Sequence, residues 1–122
     1  AIARDNSNSE TLWVDGVRST TGVQSDTINY SGTATGINWA HCTWCVANSS
    51  VFNGERLSNL RVVVGTALYN PNSATITVPT MPLANVANTR LLMTFNNSSS
   101  LTVDGSGNQT ITNFGATFAS GQ

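Results

Sequence analysis

Lysine is absent from this chain, and its cations are five arginines, Arg4, Arg18, Arg56, Arg61 and Arg90, scattered over 122 residues. Nucleic-acid binding needs a cationic stripe that displaces phosphate counterions, and scattered arginines do not form one. A polybasic membrane-binding segment is excluded on the same ground. Charged residues of both signs make up 9 % of the chain, well below the roughly 25 % of an average domain. No apolar run approaches the roughly 18 residues that a membrane-spanning helix needs, and no stretch has the layout of a signal peptide. Histidine occurs once, at His41, and cysteine twice, at Cys42 and Cys45. One chain therefore cannot supply a closed four-ligand zinc site from His and Cys alone. The two glutamates, Glu10 and Glu55, are far apart, and neither has a carboxylate two residues away. No G-x-S-x-G context surrounds any serine, so a hydrolytic triad has no support. These absences predict a protein that is not an enzyme and holds no cofactor.

What is abundant is neutral hydrogen bonding. Serine, threonine and asparagine number 14, 17 and 15. The length predicts one domain over residues 1–122 with a single core. Residues 1–10 are polar and are expected to form an N-terminal arm, and Ala1 in place of methionine points to processing or trimming. Short β-rich runs separated by Gly, Asn and Ser predict strands at 56–64, 75–78, 90–95 and 109–114, with a further strand-like run at 37–46. No window combines helical apolar spacing with good helix formers. The expectation is an all-β antiparallel sandwich. Strand edges are usually guarded by lysines, and none is available. Either a partner covers the edges or the sheet closes on itself.

Three stretches carry more than composition. Thr11-Leu12-Trp13-Val14-Asp15-Gly16-Val17 places Asp-Gly between two apolar arms, a strong signal for a two-residue hairpin. Phe52 to Tyr69 holds a strand with apolar Leu57, Leu60, Val62 and Val64. Its phase slips after Leu57, which predicts a bulge there. Gly65-x-Ala67-x-Tyr69 and a tail through Val78-Pro79-Thr80-Met81-Pro82-Leu83 follow. The third stretch runs from Thr89 to Thr112, with Asp104-Gly105-Ser106-Gly107-Asn108 in its second half.

The middle stretch resembles the closing strand of a concanavalin A-like, laminin-G-type jelly roll found in virion structural proteins of tailed phages, written F-x-G-x-I-x-x-L-R-V-x-x-G-x-A-x-Y. Phe52, Gly54, Leu57, Leu60, Arg61, Val62, Gly65, Ala67 and Tyr69 carry the match. The hairpin resembles that family's L-x-L-Y-V-N-G-V element, and residues 89–112 resemble its opening strands. The resemblance implies a jelly-roll β-sandwich, complete in itself or completed by a neighbouring chain. The order of the pieces fits an excised part of a tandem array, a permuted module or a small divergent jelly roll. It also implies a non-enzymatic virion protein, either a capsid decoration (cement) protein or a tail-fibre module. Such a protein would sit in the extracellular particle and assemble with copies of itself or other virion proteins through strand edges and apolar contacts. Glucanases of related architecture carry E-x-D-x-E on one strand, which this chain lacks.

An alternative is a carbohydrate-binding module for host surface glycans. Aromatic rings stack on sugars while amides meet hydroxyls. Trp39, Trp44, Tyr30 and Asn38 are the candidates, with Trp13, Tyr69, Asp26 and Asn29 beside them. Trp39 and Trp44 differ by an odd number, so a regular strand turns them to opposite faces. His41-Cys42-Thr43-Trp44-Cys45 is a candidate metal or redox motif, although i and i+3 on one strand cannot form a disulfide without a bend. Asp104 and Asn108 alternate oxygen donors as calcium loops do, with one carboxylate and no closing glutamate.

Overall fold

A computed structural model describes residues 1–28, 57–113 and 115–120. The chain divides into two compact units, one of residues 1–26 with 58–122 and one of residues 27–57. The first unit holds every strand among the described residues. Its strands are β1 (Ile2–Arg4), β2 (Ser9–Val14), β3 (Val17–Arg18), β4 (Gln24–Ser25), β5 (Leu60–Val63) and β6 (Thr89–Met93), followed by a 3-10 helix at Ser98–Thr102. Every strand pair is antiparallel, and no α-helix occurs among the described residues. The fold is all-β.

β2 is the centre of the first sheet. β1 lies on one side of it, and β3 and β4 share the other side, at opposite ends. The β2–β3 hairpin forms as the Asp-Gly pair predicts. Val14 faces Val17 across the turn, and Asp15 (φ 50°) and Gly16 (φ 79°) are both left-handed, the signature of the type I′ turn whose twist matches its strands. Gly16 is also required by space, since a Cβ there would meet the Ile76 carbonyl oxygen and Val78 Cγ2 at 2.8 Å.

Residues 1–10, expected as an arm, are tied into this sheet instead. Ile2, Ala3 and Arg4 pair with Leu12, Thr11 and Glu10. The turn between β1 and β2 is closed by Asp5, whose Oδ1 accepts from the Ser7 and Ser9 N–H groups at 2.9 and 3.0 Å. Asn8 takes a left-handed φ of 63° there, a conformation Asn tolerates well. The polar composition of the segment thus serves a turn.

The second sheet is the β5–β6 pair. Leu60, Arg61 and Val62 face Met93, Leu92 and Leu91, and Val63 then faces Thr89, leaving Arg90 as the extra residue. The bulge therefore lies on β6 and not after Leu57. Its cause is the tight turn before it: Thr89 N–H and Oγ1 both bond the Val86 carbonyl, and Asn88 is left-handed at φ 65°. The strand expected over 56–64 is ordered as β5 over Leu60–Val63, and Arg56 lies outside the described residues.

The strand expected at 75–78 reduces to a single bridge between Val17 and Thr75. The segment still lines the β3 edge, with Arg18 N–H bonded to the Ala74 carbonyl and Ile76 N–H to that of Gly16. No strand forms at 109–113, because Asp104 Oδ2 takes the Gln109 N–H that would start a ladder.

Candidate functional site

Tyr30, Asn38, Trp39 and Trp44, and with them His41, Cys42, Cys45 and Asn29, lie outside the described residues. The remaining candidates fall chiefly in two places, and the structure adds a third.

The first is the 104–109 loop. Asp104 Oδ1 accepts from Leu92 N–H at 2.8 Å and Ser106 N–H at 2.9 Å. Its Oδ2 accepts from Ser106 Oγ at 2.7 Å, Asn108 N–H at 3.0 Å and Gln109 N–H at 2.9 Å. Partial burial alone would raise the Asp104 pKa. The hydrogen bonds from Leu92, Ser106 and Gln109 outweigh it and hold the carboxyl well below the ordinary carboxylate range. A carboxylate has about four lone-pair sites, and donors already fill them. A calcium ion needs oxygens that converge on an open centre, whereas here backbone N–H groups converge on the oxygens. Asn108 works in the same direction, its side-chain amide donating to the Thr89 carbonyl at 2.9 Å. Gly105 N–H meets the Leu92 carbonyl at 2.7 Å. The loop clamps the outer edge of β6 and does the work that lysines do on other edges.

The second place is Trp13. It is 2 % exposed, its Nε1–H donates to the Ser73 carbonyl at 3.1 Å, and its ring lies 6.1 Å from Tyr69 at a tilt of 57°. Thr11, on the same face of β2, is buried too and its hydroxyl donates to the Pro71 carbonyl at 2.8 Å. Trp13 is a core residue that fastens residues 69–76 over the hairpin, and it has no face free for a sugar ring.

The third place was not singled out from sequence. β2 alternates, so Leu12 and Val14 point away from Trp13. Their cross-strand partners Ile2 and Val17 share that opposite face. Ile2 is 68 %, Leu12 42 %, Val14 60 % and Val17 59 % exposed. Two directly paired apolar couples thus form a continuous uncovered patch. The signal was present in Thr-Leu-Trp-Val, a strand apolar in both phases. Beyond this patch, Arg4 pairs with Glu10 in register and bonds Asn8 Oδ1 at 2.8 Å, with Asp26 at 3.8 Å. That end of the sheet is polar.

Comparison with family models, curated proteins and solved structures finds no match for this chain.

Proposed function

We propose that this chain is a non-enzymatic structural module of a phage virion, a capsid-decoration or tail-fibre element built on a jelly-roll sandwich of the concanavalin A-like type. It assembles with copies of itself or with other virion proteins through apolar sheet surface and strand edges, in the extracellular particle. The resemblance of residues 52–69 supplies the family. The observation that carries assembly is the uncovered patch of Ile2, Leu12, Val14 and Val17. A chain with 9 % charged residues has little ionic means of association, so apolar burial is the term left to it. Fully burying an aliphatic side chain contributes about 1.5–3 kcal/mol. These side chains are already partly covered, so about 1 kcal/mol each is the reasonable scale.

The test is the solution mass of the full chain by light scattering, beside a Leu12→Thr/Val14→Thr double variant. Both substitutions keep β-propensity and sit on an exposed face, so folding stability should stay within about 0.5 kcal/mol. The expected result is a concentration-dependent oligomer whose association weakens at least about tenfold in the variant, since 1.4 kcal/mol is one decade. A chain that stays monomeric at all concentrations, alone and with virion partners, would sink the assembly reading. Glycan binding by that monomer would replace it with the carbohydrate-binding alternative.

A further inference from the structure

Aspartate precedes glycine twice in this chain, at Asp15-Gly16 and Asp104-Gly105. Glycine has no Cβ to shield its backbone nitrogen. The two dipeptides are chemically the same, so only the fold sets them apart. At Asp104 both reacting groups are engaged. Five donors hold the carboxylate, and the Gly105 N–H donates to the Leu92 carbonyl at 2.7 Å. Those bonds also keep the carboxyl ionised, whereas attack at Cγ needs the neutral acid. Rotating this backbone would release Leu92, a buried residue of β6. At Asp15 both groups are free. Asp15 is exposed, and among the described residues neither its carboxyl nor the Gly16 N–H has a hydrogen-bond partner. From outside the hairpin the two turn residues receive one hydrogen bond among the described residues, Ile76 N–H to the Gly16 carbonyl at 2.8 Å. The turn leads into β3, a strand of two residues, and a tip with so few bonds opens at low free-energy cost.

We propose that Asp15-Gly16 is a site of spontaneous isoaspartate formation in the folded chain, and that the Asp104 loop protects the second Asp-Gly pair from the same reaction. When the tip opens, the Gly16 amide nitrogen attacks Asp15 Cγ. An N–Cγ bond forms, and the amide proton leaves with the carboxyl hydroxyl as one water, giving a five-membered succinimide. Water then adds to one of the two ring carbonyls. Cleavage between nitrogen and Cγ restores aspartate. Cleavage between nitrogen and the Asp15 carbonyl carbon returns the electron pair and a proton to nitrogen, and leaves the chain running through Cβ and Cγ. No oxidant and no co-reactant other than water enters. The isoaspartyl linkage adds one backbone carbon between Val14 and Val17, which face each other across the turn. A two-residue type I′ turn owes its fit to its backbone twist, and the added carbon spoils that fit. The Val14–Val17 pair, half of the exposed apolar patch, then loses its register.

The test is to hold the full chain for weeks at neutral pH, folded and in parallel unfolded in urea, and to quantify isoaspartate at each position by peptide mapping with electron-transfer fragmentation. In urea the two dipeptides should convert at similar rates. In the folded chain Asp15 should convert at least about tenfold faster than Asp104, because opening the Asp104 loop breaks more bonds and exposes a buried donor. Ser106→Ala removes the hydroxyl that donates to Asp104 Oδ2. It should raise conversion at Asp104 and leave that at Asp15 unchanged. Equal conversion at both positions of the folded chain, or faster conversion at Asp104, would overturn the proposal. So would a folded chain that forms no isoaspartate at Asp15 while the unfolded chain does. A Ser106→Ala variant whose Asp104 stays as inert as the wild type's would overturn the protective role of the loop.

Discussion

Asp104→Asn distinguishes a carboxylate that fastens a loop from one that awaits a cation. The asparagine keeps the shape and one carbonyl oxygen, but the second oxygen becomes an NH2 donor. Five donors converge on the native carboxylate. If the amide oxygen stays at the Oδ1 position, the new NH2 group faces the Asn108 and Gln109 N–H groups. If it turns, the N–H of Leu92, a buried residue, loses its partner. A hydrogen bond to a charged group contributes about 1.5–3 kcal/mol net, and an orphaned buried donor costs about 1–3 kcal/mol. Asn108 and Gln109 are exposed, so water replaces most of their loss, and the Leu92 and Ser106 bonds dominate. The expected destabilisation is about 2–4 kcal/mol, with Asp104→Ala close behind, read as a shifted urea midpoint at constant m. The pH dependence has a fixed sign. The folded carboxyl is depressed below its ordinary 3.8, so the native state binds fewer protons than the unfolded state and stability falls with pH there. The contribution is complete above that value and is lost as pH drops toward the folded pKa, so the gap between wild type and Asp104→Asn should narrow in acid. A loss under about 0.5 kcal/mol in the asparagine variant, or a calcium-dependent rise in Tm that the variant abolishes, would refute the reasoning.

Trp13→Phe keeps an aromatic ring in place but removes the bond to the Ser73 carbonyl, and should cost about 1 kcal/mol. Trp13→Ala empties the site and should cost about 3–5 kcal/mol, both measured by urea unfolding. Gly16→Ala should cost more than about 2 kcal/mol, because a left-handed residue with a Cβ is strained by about 1–2 kcal/mol and the added atom meets Ile76 O and Val78 Cγ2 at 2.8 Å. Asp15→Asn should be nearly neutral in the same assay, since Asn suits that turn position equally.

The parts of this fold that were legible in sequence are those fixed by short range. Asp15-Gly16 dictates its turn through backbone conformation alone, and apolar spacing marks β5 and β6 within a few residues. Partner choice was not legible. Nothing in Leu60–Val63 says that it pairs with Thr89–Met93, and the bulge follows the turn at Asn88 and Thr89, not the phase slip at Leu57. The Asp104 loop shows a second limit. Alternating Asp, Ser and Asn separated by glycines is a pattern common to a cation loop and to a carboxylate nested in backbone amides. What separates them is whether the N–H groups point toward the carboxylate or away, and that depends on Leu92, a neighbour in space on another strand.

The Thr11–Val14 run buries one phase and exposes the other. A strand with Thr and Trp in one phase and Leu and Val in the other has two faces that avoid water. Residues 69–76 cover the Trp13 face, holding it through the Pro71 and Ser73 carbonyls and Tyr69. The Leu12 face, extended by Ile2 and Val17, is left exposed among residues that are otherwise neutral and hydrogen-bonding. That patch is the apolar surface that the proposed assembly would bury, in a chain with no lysines to keep copies apart.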